Sequence, residues 1–114
     1  MLKIYHNPRC SKSRAALAYL EEKGLKPEIR LYLKEPYTVD EMEDVLKRMN
    51  KEPQEIVRTH EKLYKTDYKD KIFNHDEWIK ILLESPELIQ RPIIVNKHKA
   101  IFAVPAEELE KIID

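Results

Sequence analysis

The sequence predicts an α/β domain in which a β-α-β unit and a later β-β-α unit share one mixed sheet, with a helical insertion between them. Three observations carry this reading. Short apolar runs suited to strands occur near both ends, at residues 2–5, 28–33, 92–95 and 100–103. The first two are separated by a helix-period segment, which implies a parallel crossover. The last two flank a short polar turn, as the strands of an antiparallel hairpin do.

Taken in order, residues 2–5 alternate weakly and stop at Asn7-Pro8, giving a strand and a loop. Residues 13–23 place Ala15, Ala16, Leu17, Ala18 and Leu20 at helical spacing, and Gly24, the sole glycine, ends that helix. Residues 28–33 form a second strand between Pro27 and Pro36. Thr38 and Glu41 make a capping box for a helix carrying Met42, Val45, Leu46 and Met49. Pro53 can begin another helix through Ile56, Val57 and Leu63. Asn74 or Asp76 starts a third, with Trp78, Ile81 and Leu82 inward, halted by Ser85-Pro86. After the hairpin, Pro105 opens a closing helix with Leu109, Ile112 and Ile113. This is the pattern of a thioredoxin-like fold: one domain over residues 1–114, with a helical insertion at roughly 38–88.

Composition narrows the function. Twenty-one Lys plus Arg balance 21 Asp plus Glu, so there is no bulk attraction to nucleic acid or to an anionic membrane, and neither is an expected partner. No apolar run approaches the about 20 residues of a membrane span. Met1-Leu2-Lys3-Ile4-Tyr5 lacks the long apolar stretch of a secretory signal. One cysteine cannot form an internal disulfide, and small secreted domains usually carry several, so a cytoplasmic location is expected.

That cysteine, Cys10, directly follows a strand and precedes a helix. Unpaired backbone N–H groups and the positive end of the helix dipole favour the thiolate there, and the same amides bind oxyanions. Lys12 and Arg14 stand in the first turn and Arg9 just before it, where cations cost about a few tenths of a kcal/mol each; a thiolate and a bound anion would offset this. A lone cysteine is often only a small buried hydrophobe, but Asn, Pro, Arg, Ser and Lys are poor core neighbours. The spacing Cys10-Ser11-Lys12-Ser13 puts a hydroxyl where a resolving thiol would sit. Oxidised Cys10 therefore needs a thiol from outside the chain.

His6 could tune the thiolate by hydrogen bond or charge, or simply be a solvated strand-end residue. His60, His75 and His98 show no ligand spacing with one another or with the cysteine, so no metal site is expected. Arg91-Pro92 introduces the third strand and is a candidate cis bond, which in this fold would set Arg91 beside Cys10. Arg58, within Ile56-Val57-Arg58-Thr59, offers a second guanidinium fork suited to a tetrahedral oxyanion. Taken alone, each arginine reads first as a surface charge or an ion-pair partner.

Two segments carry a resemblance that covers essentially the whole chain. Tyr5-His6-Asn7-Pro8-Arg9-Cys10-Ser11-Lys12-Ser13-Arg14 and Leu88-Ile89-Gln90-Arg91-Pro92-Ile93-Ile94-Val95 resemble the glutaredoxin-coupled arsenate reductase family, and Val57-Arg58-Thr59 and Leu63-Tyr64 fall between them as the family's similar residues do. The resemblance implies that Cys10 attacks arsenate. Glutathione then reduces the adduct as co-substrate, with no bound cofactor, and glutaredoxin clears the mixed disulfide. It implies that Arg58 and Arg91 hold the oxyanion, that His6 helps keep the cysteine ionised, and that Asn7, Ser13 and Arg14 shape the anion loop. One departure stands out. The family carries a third arginine thirteen residues after the one preceding the proline, where this chain has Val104. Two other readings stay open: a related thiol oxidoreductase acting on another substrate, and a regulator that docks on RNA polymerase, although such regulators commonly use a Cys-x-x-Cys switch that Ser13 denies this chain.

Overall fold

The computed structural model describes residues 2–113; Met1 and Asp114, the ends of the expected domain, lie outside the described residues. The chain divides into two compact units, one holding residues through Glu35 and from Arg91 onward, the other Pro36–Gln90.

In the first unit, β1 (Lys3–Tyr5), β2 (Glu28–Arg30), β3 (Ile93–Val95) and β4 (Ala100–Phe102) form one sheet in the order β2-β1-β3-β4. β1 runs parallel to β2, with Ile4 opposite Ile29, and antiparallel to β3, with Ile4 opposite Ile94. The parallel pair needs a crossover, supplied by α1 (Ser11–Glu22). The antiparallel pair β3–β4 needs only a tight turn, in which the Asn96 side chain accepts from the amides of His98 and Lys99 at 2.8 and 2.7 Å. Ile4 and Ile94 from the sheet, Ala16 and Leu20 from α1, and Leu109 and Ile112 from the C-terminal segment close a core in which each is at most 4% exposed. This is the mixed sheet that the sequence predicts.

Two elements of this unit differ from expectation. The second strand stops at Arg30 rather than at residue 33, because the Leu31 carbonyl accepts from the amides of both Lys34 and Glu35 and turns the chain. Arg30 Nε donates to the Glu35 carbonyl at 2.9 Å and ties the turn shut. The closing helix is a 3-10 stretch, Ala106–Lys111, which nonetheless buries Leu109.

In the second unit, α2 (Val39–Met49) carries the expected capping box, with the Glu41 amide donating to Thr38 Oγ1 at 3.1 Å and the Thr38 amide to Glu41 Oε1 at 2.8 Å. α3 (His75–Glu84) has an equivalent box between Asn74 and Glu77, which selects Asn74 over Asp76 as its start. The helix expected from Pro53 to Leu63 is not continuous. A 3-10 turn, Pro53–Ile56, gives way to extended chain at Val57, which bridges Ile89, and a π-helical turn follows at Tyr64–Tyr68. Ile56 and Val57 are adjacent, β-branched and both buried, 0% and 3% exposed. Backbone bonds across the bridge hold the chain extended there: the Arg58 amide donates to the Leu88 carbonyl at 2.7 Å and the Gln90 amide to the Ile56 carbonyl at 2.9 Å.

Candidate active site

β1 delivers the chain into a tight loop at residues 7–10, and that loop is built almost wholly from local hydrogen bonds. The Asn7 side-chain oxygen accepts from the Arg9 amide at 3.0 Å, an Asx turn that bends the backbone at Pro8. The Asn7 carbonyl accepts from the Cys10 amide at 3.0 Å. The Asn7 amide, itself buried, donates to Ser13 Oγ at 3.0 Å, and Ser13 Oγ lies 2.6 Å from His6 Nδ1. Ser13 is completely buried. With the Asn7 amide donating to its oxygen, the hydroxyl has one proton left to give, and a neutral His6 protonated on Nε2 accepts it. Arg14 Nη1 donates to the Pro8 carbonyl at 2.8 Å and clasps the loop from the helix side.

Cys10 is thereby fixed as the N-cap of α1, with extended backbone at φ −95° and ψ 121°. No cap hydrogen bond of ordinary geometry forms from its side chain, yet the amides of Ser13 and Lys12 face the sulfur and favour its charged form. Burial pushes the Cys10 thiol up; those amides and the Arg91 guanidinium, as donor and as charge, outweigh it and bring the pKa below the ordinary cysteine value. The Arg91–Pro92 peptide is cis, and the guanidinium of Arg91 stands beside Cys10. Its Nε is a buried donor with no hydrogen-bond partner among the described residues. A buried unpaired guanidinium N–H is costly, and an anion held next to the sulfur would satisfy it.

His6 contacts Ser13, and burial first, then the Arg14 charge, lower its pKa. A neutral imidazole brings no charge to the thiolate, and its contact is with Ser13, whose amide faces the sulfur. The bonds that the Ser13 hydroxyl makes to the Asn7 amide and to His6 are the feature the sequence does not show. The hydroxyl's contact to residue 7 depends on the loop closing.

His6, Asn7, Cys10, Ser13, Arg14 and Arg91 all belong to the first unit and gather around this loop. Arg58 belongs to the second, where Nη1 pairs with Glu61 Oε1 at 2.6 Å and Nη2 lies 2.9 Å from His60 Nε2. Also there, ligand atoms of Glu43, His75 and Asp76 lie within 4.8 Å of one another, a grouping drawn from two helices and so invisible to histidine spacing. His75 Nε2 is 2.7 Å from Glu43 and Nδ1 3.4 Å from Glu52, so the imidazole is already engaged by two carboxylates. Val104 is 39% exposed. No helix among the described residues is long and apolar enough to cross a membrane.

The comparisons with known proteins agree with one another. The model of the ArsC family matches residues 5–112. An arsenate reductase of Haemophilus influenzae is 40% identical over 112 residues, covering 96% of this chain and 97% of that one. An arsenate reductase of Neisseria meningitidis is 35% identical over 114 residues, covering 98% and 97%. Among solved structures, an arsenate reductase from Vibrio cholerae superposes with a TM-score of 0.92 at 35% identity, over 98% of this chain and 97% of that one. With its thioredoxin-like mixed sheet and its cysteine loop at the start of α1, the chain belongs to the ArsC family.

Proposed function

We propose that this protein reduces arsenate, or a similar tetrahedral oxyanion, with Cys10 as nucleophile and glutathione and glutaredoxin as electron donors, in the cytoplasm. The observation that carries the reading is the Cys10 sulfur, lowered in pKa, beside an Arg91 whose buried Nε lacks a partner. A thiolate needs no base to attack. An arginine beside the sulfur stabilises charge as it moves onto the oxygens. The sulfur displaces one oxygen of arsenate, which leaves as water, and forms a sulfur–arsenic bond. Glutathione then attacks the Cys10 sulfur, and the electron pair of that bond stays on arsenic, which leaves as arsenite in the +3 state. The Cys10–glutathione disulfide that remains has no internal thiol to resolve it, because position 13 is serine; a glutaredoxin thiol removes the glutathione.

The measurement is arsenite formation with glutathione and a matched glutaredoxin. Cys10→Ser is expected to abolish it and Arg91→Gln to weaken it. Failure of the intact protein to form arsenite under those conditions would overturn the reading. Val104 favours a second reading, a related thiol oxidoreductase with another substrate. A missing charged hydrogen-bond partner costs about 1.5–3 kcal/mol, or one to two orders of magnitude in rate. If Val104→Arg raises arsenate turnover on that scale, arsenate is not the native substrate.

A further inference from the structure

Sheet order places two different chemistries on opposite sides of the Cys10 loop. β1 leads into that loop from the middle of the sheet. β2 runs parallel to β1, so the turn at residues 31–34 emerges at the loop's end of the sheet on one side. β3 runs antiparallel, so Arg91, just before it, stands at the same end on the other side. On the β2 side a groove of about 380 Å³ is lined by His6, Asn7, Pro8, Arg9, Leu31, Leu33 and Lys34, a size that suits a small-molecule ligand. Its floor is apolar, with Leu33 44% exposed. Its rim carries two exposed cations, Arg9 and Lys34, neither in an ion pair among the described residues.

We propose that this groove is the subsite for the anionic peptide thiol, glutathione, that reduces the Cys10 adduct. The proposal rests on the reduction chemistry given above and adds to it where the second thiol binds. Attack at a sulfur proceeds in line with the bond being broken, so the incoming thiol must approach from the side opposite the leaving group. Arg91 draws the oxyanion, and with it arsenic, to the β3 side; the glutathione sulfur then reaches Cys10 from the β2 side. The new sulfur–sulfur bond forms as the sulfur–arsenic bond breaks, and its electron pair departs with arsenite. Arg9, covalently next to Cys10, and Lys34, both on the groove's lining, offer cations to the carboxylates of the tripeptide, whose body covers Leu31 and Leu33. Charge complementarity selects this occupant over a neutral thiol.

The test needs no arsenate. Cys10 thiolate attacks glutathione disulfide, forming the Cys10–glutathione disulfide and releasing one glutathione thiolate. The same thiolate attacks neutral hydroxyethyl disulfide by the same chemistry. The ratio of the two rates, read by intact-protein mass spectrometry, cancels any change in the cysteine itself. The wild type is expected to prefer glutathione disulfide, and Arg9→Gln with Lys34→Gln to lower that ratio by about fivefold to tenfold. Lys34→Glu is expected to lower it further than Lys34→Gln, and raised salt to erode the wild-type preference. A ratio unmoved by these substitutions overturns the subsite even if arsenate is reduced. A ratio that falls as expected upholds it even if arsenate proves not to be the substrate. An effect confined to removal of glutathione by glutaredoxin assigns the groove to that protein and overturns the proposal.

Discussion

Removing the Ser13 hydroxyl tests how the loop is held. In Ser13→Ala the buried Asn7 amide loses its acceptor and His6 Nδ1 loses its neighbour, contacts of 3.0 and 2.6 Å around a fully buried hydroxyl. Stranding one buried polar group costs about 1–3 kcal/mol. With two groups affected, a loss of about 2–6 kcal/mol is expected. A chain of this size loses about 3–6 °C in melting temperature per kcal/mol, so the variant should melt roughly 10 °C or more lower. Thermal unfolding followed by circular dichroism measures this, with Ser11→Ala, an exposed serine on the same turn, as the control that should stay within about 0.5 kcal/mol of wild type. Because the Asn7 carbonyl also holds the Cys10 amide, iodoacetamide alkylation of Cys10 should change in parallel. A Ser13→Ala protein that melts within about 2 °C of wild type would refute the claim that this hydroxyl organises the loop.

Two further outcomes follow from the charges. In Arg91→Gln the side chain keeps a donor but loses its charge, so the pH midpoint for alkylation of Cys10 should move upward; an unmoved midpoint would separate Arg91 from the thiolate. Stability should also depend on pH in two opposed ways. His6 has its pKa lowered by burial and then by Arg14, so its contribution is fully present above about pH 6.5 and is lost as pH falls toward the lowered value. His75 has its pKa raised by Glu43 and then Glu52, so its contribution is present below about pH 6.5 and lost as pH rises through the raised value. His75 is well exposed, and its share should stay below about 1 kcal/mol. In melting temperature against pH, His6→Gln should flatten the acid limb and His75→Gln only the shallow alkaline one.

How much was legible before the structure follows from which interactions are local. The capping boxes at Thr38 and Asn74 involve residues three apart and could be read directly. So could Cys10 at the start of α1, because a strand, a proline and a helical pattern adjoin within ten residues. The segment after Pro53 was misread as helix because its fate depends on Ile89, thirty-two residues beyond Val57, which captures it as a bridge partner. The second strand ran too long on paper because Leu31 and Leu33 look like strand residues; two amides converging on the Leu31 carbonyl decide otherwise. At the site, residue types suggested anion chemistry, but not that His6 spends its imidazole on Ser13, nor that Arg14 spends a guanidinium N–H on the Pro8 carbonyl.

The start of α1 breaks the rules the other helices obey, and this has a measurable consequence. α2 and α3 each begin with a capping box and two acidic residues in the first turn, Asp40 and Glu41 in one, Asp76 and Glu77 in the other. α1 has no acidic residue in its first turn, and its N-cap is a cysteine that forms no side-chain cap hydrogen bond. Sulfur is larger than oxygen and a weak acceptor, so the position sacrifices helix stability for a nucleophile in an electropositive setting. Restoring a strong acceptor should return that stability. Cys10→Asp keeps a negative charge toward Arg91 and supplies an oxygen to the amides of Lys12 and Ser13. Replacing a poor N-cap by a good one is typically worth about 1 kcal/mol, so the variant should melt about 3–6 °C higher while losing all thiol chemistry. The difference should widen in acid solution above the aspartate's own titration range, where the wild-type sulfur is protonated and gains least from its surroundings. If Cys10→Asp is no more stable than wild type at any pH in that range, the amides at the head of α1 are not directed at residue 10, and the electrostatic origin of the lowered cysteine pKa fails with them.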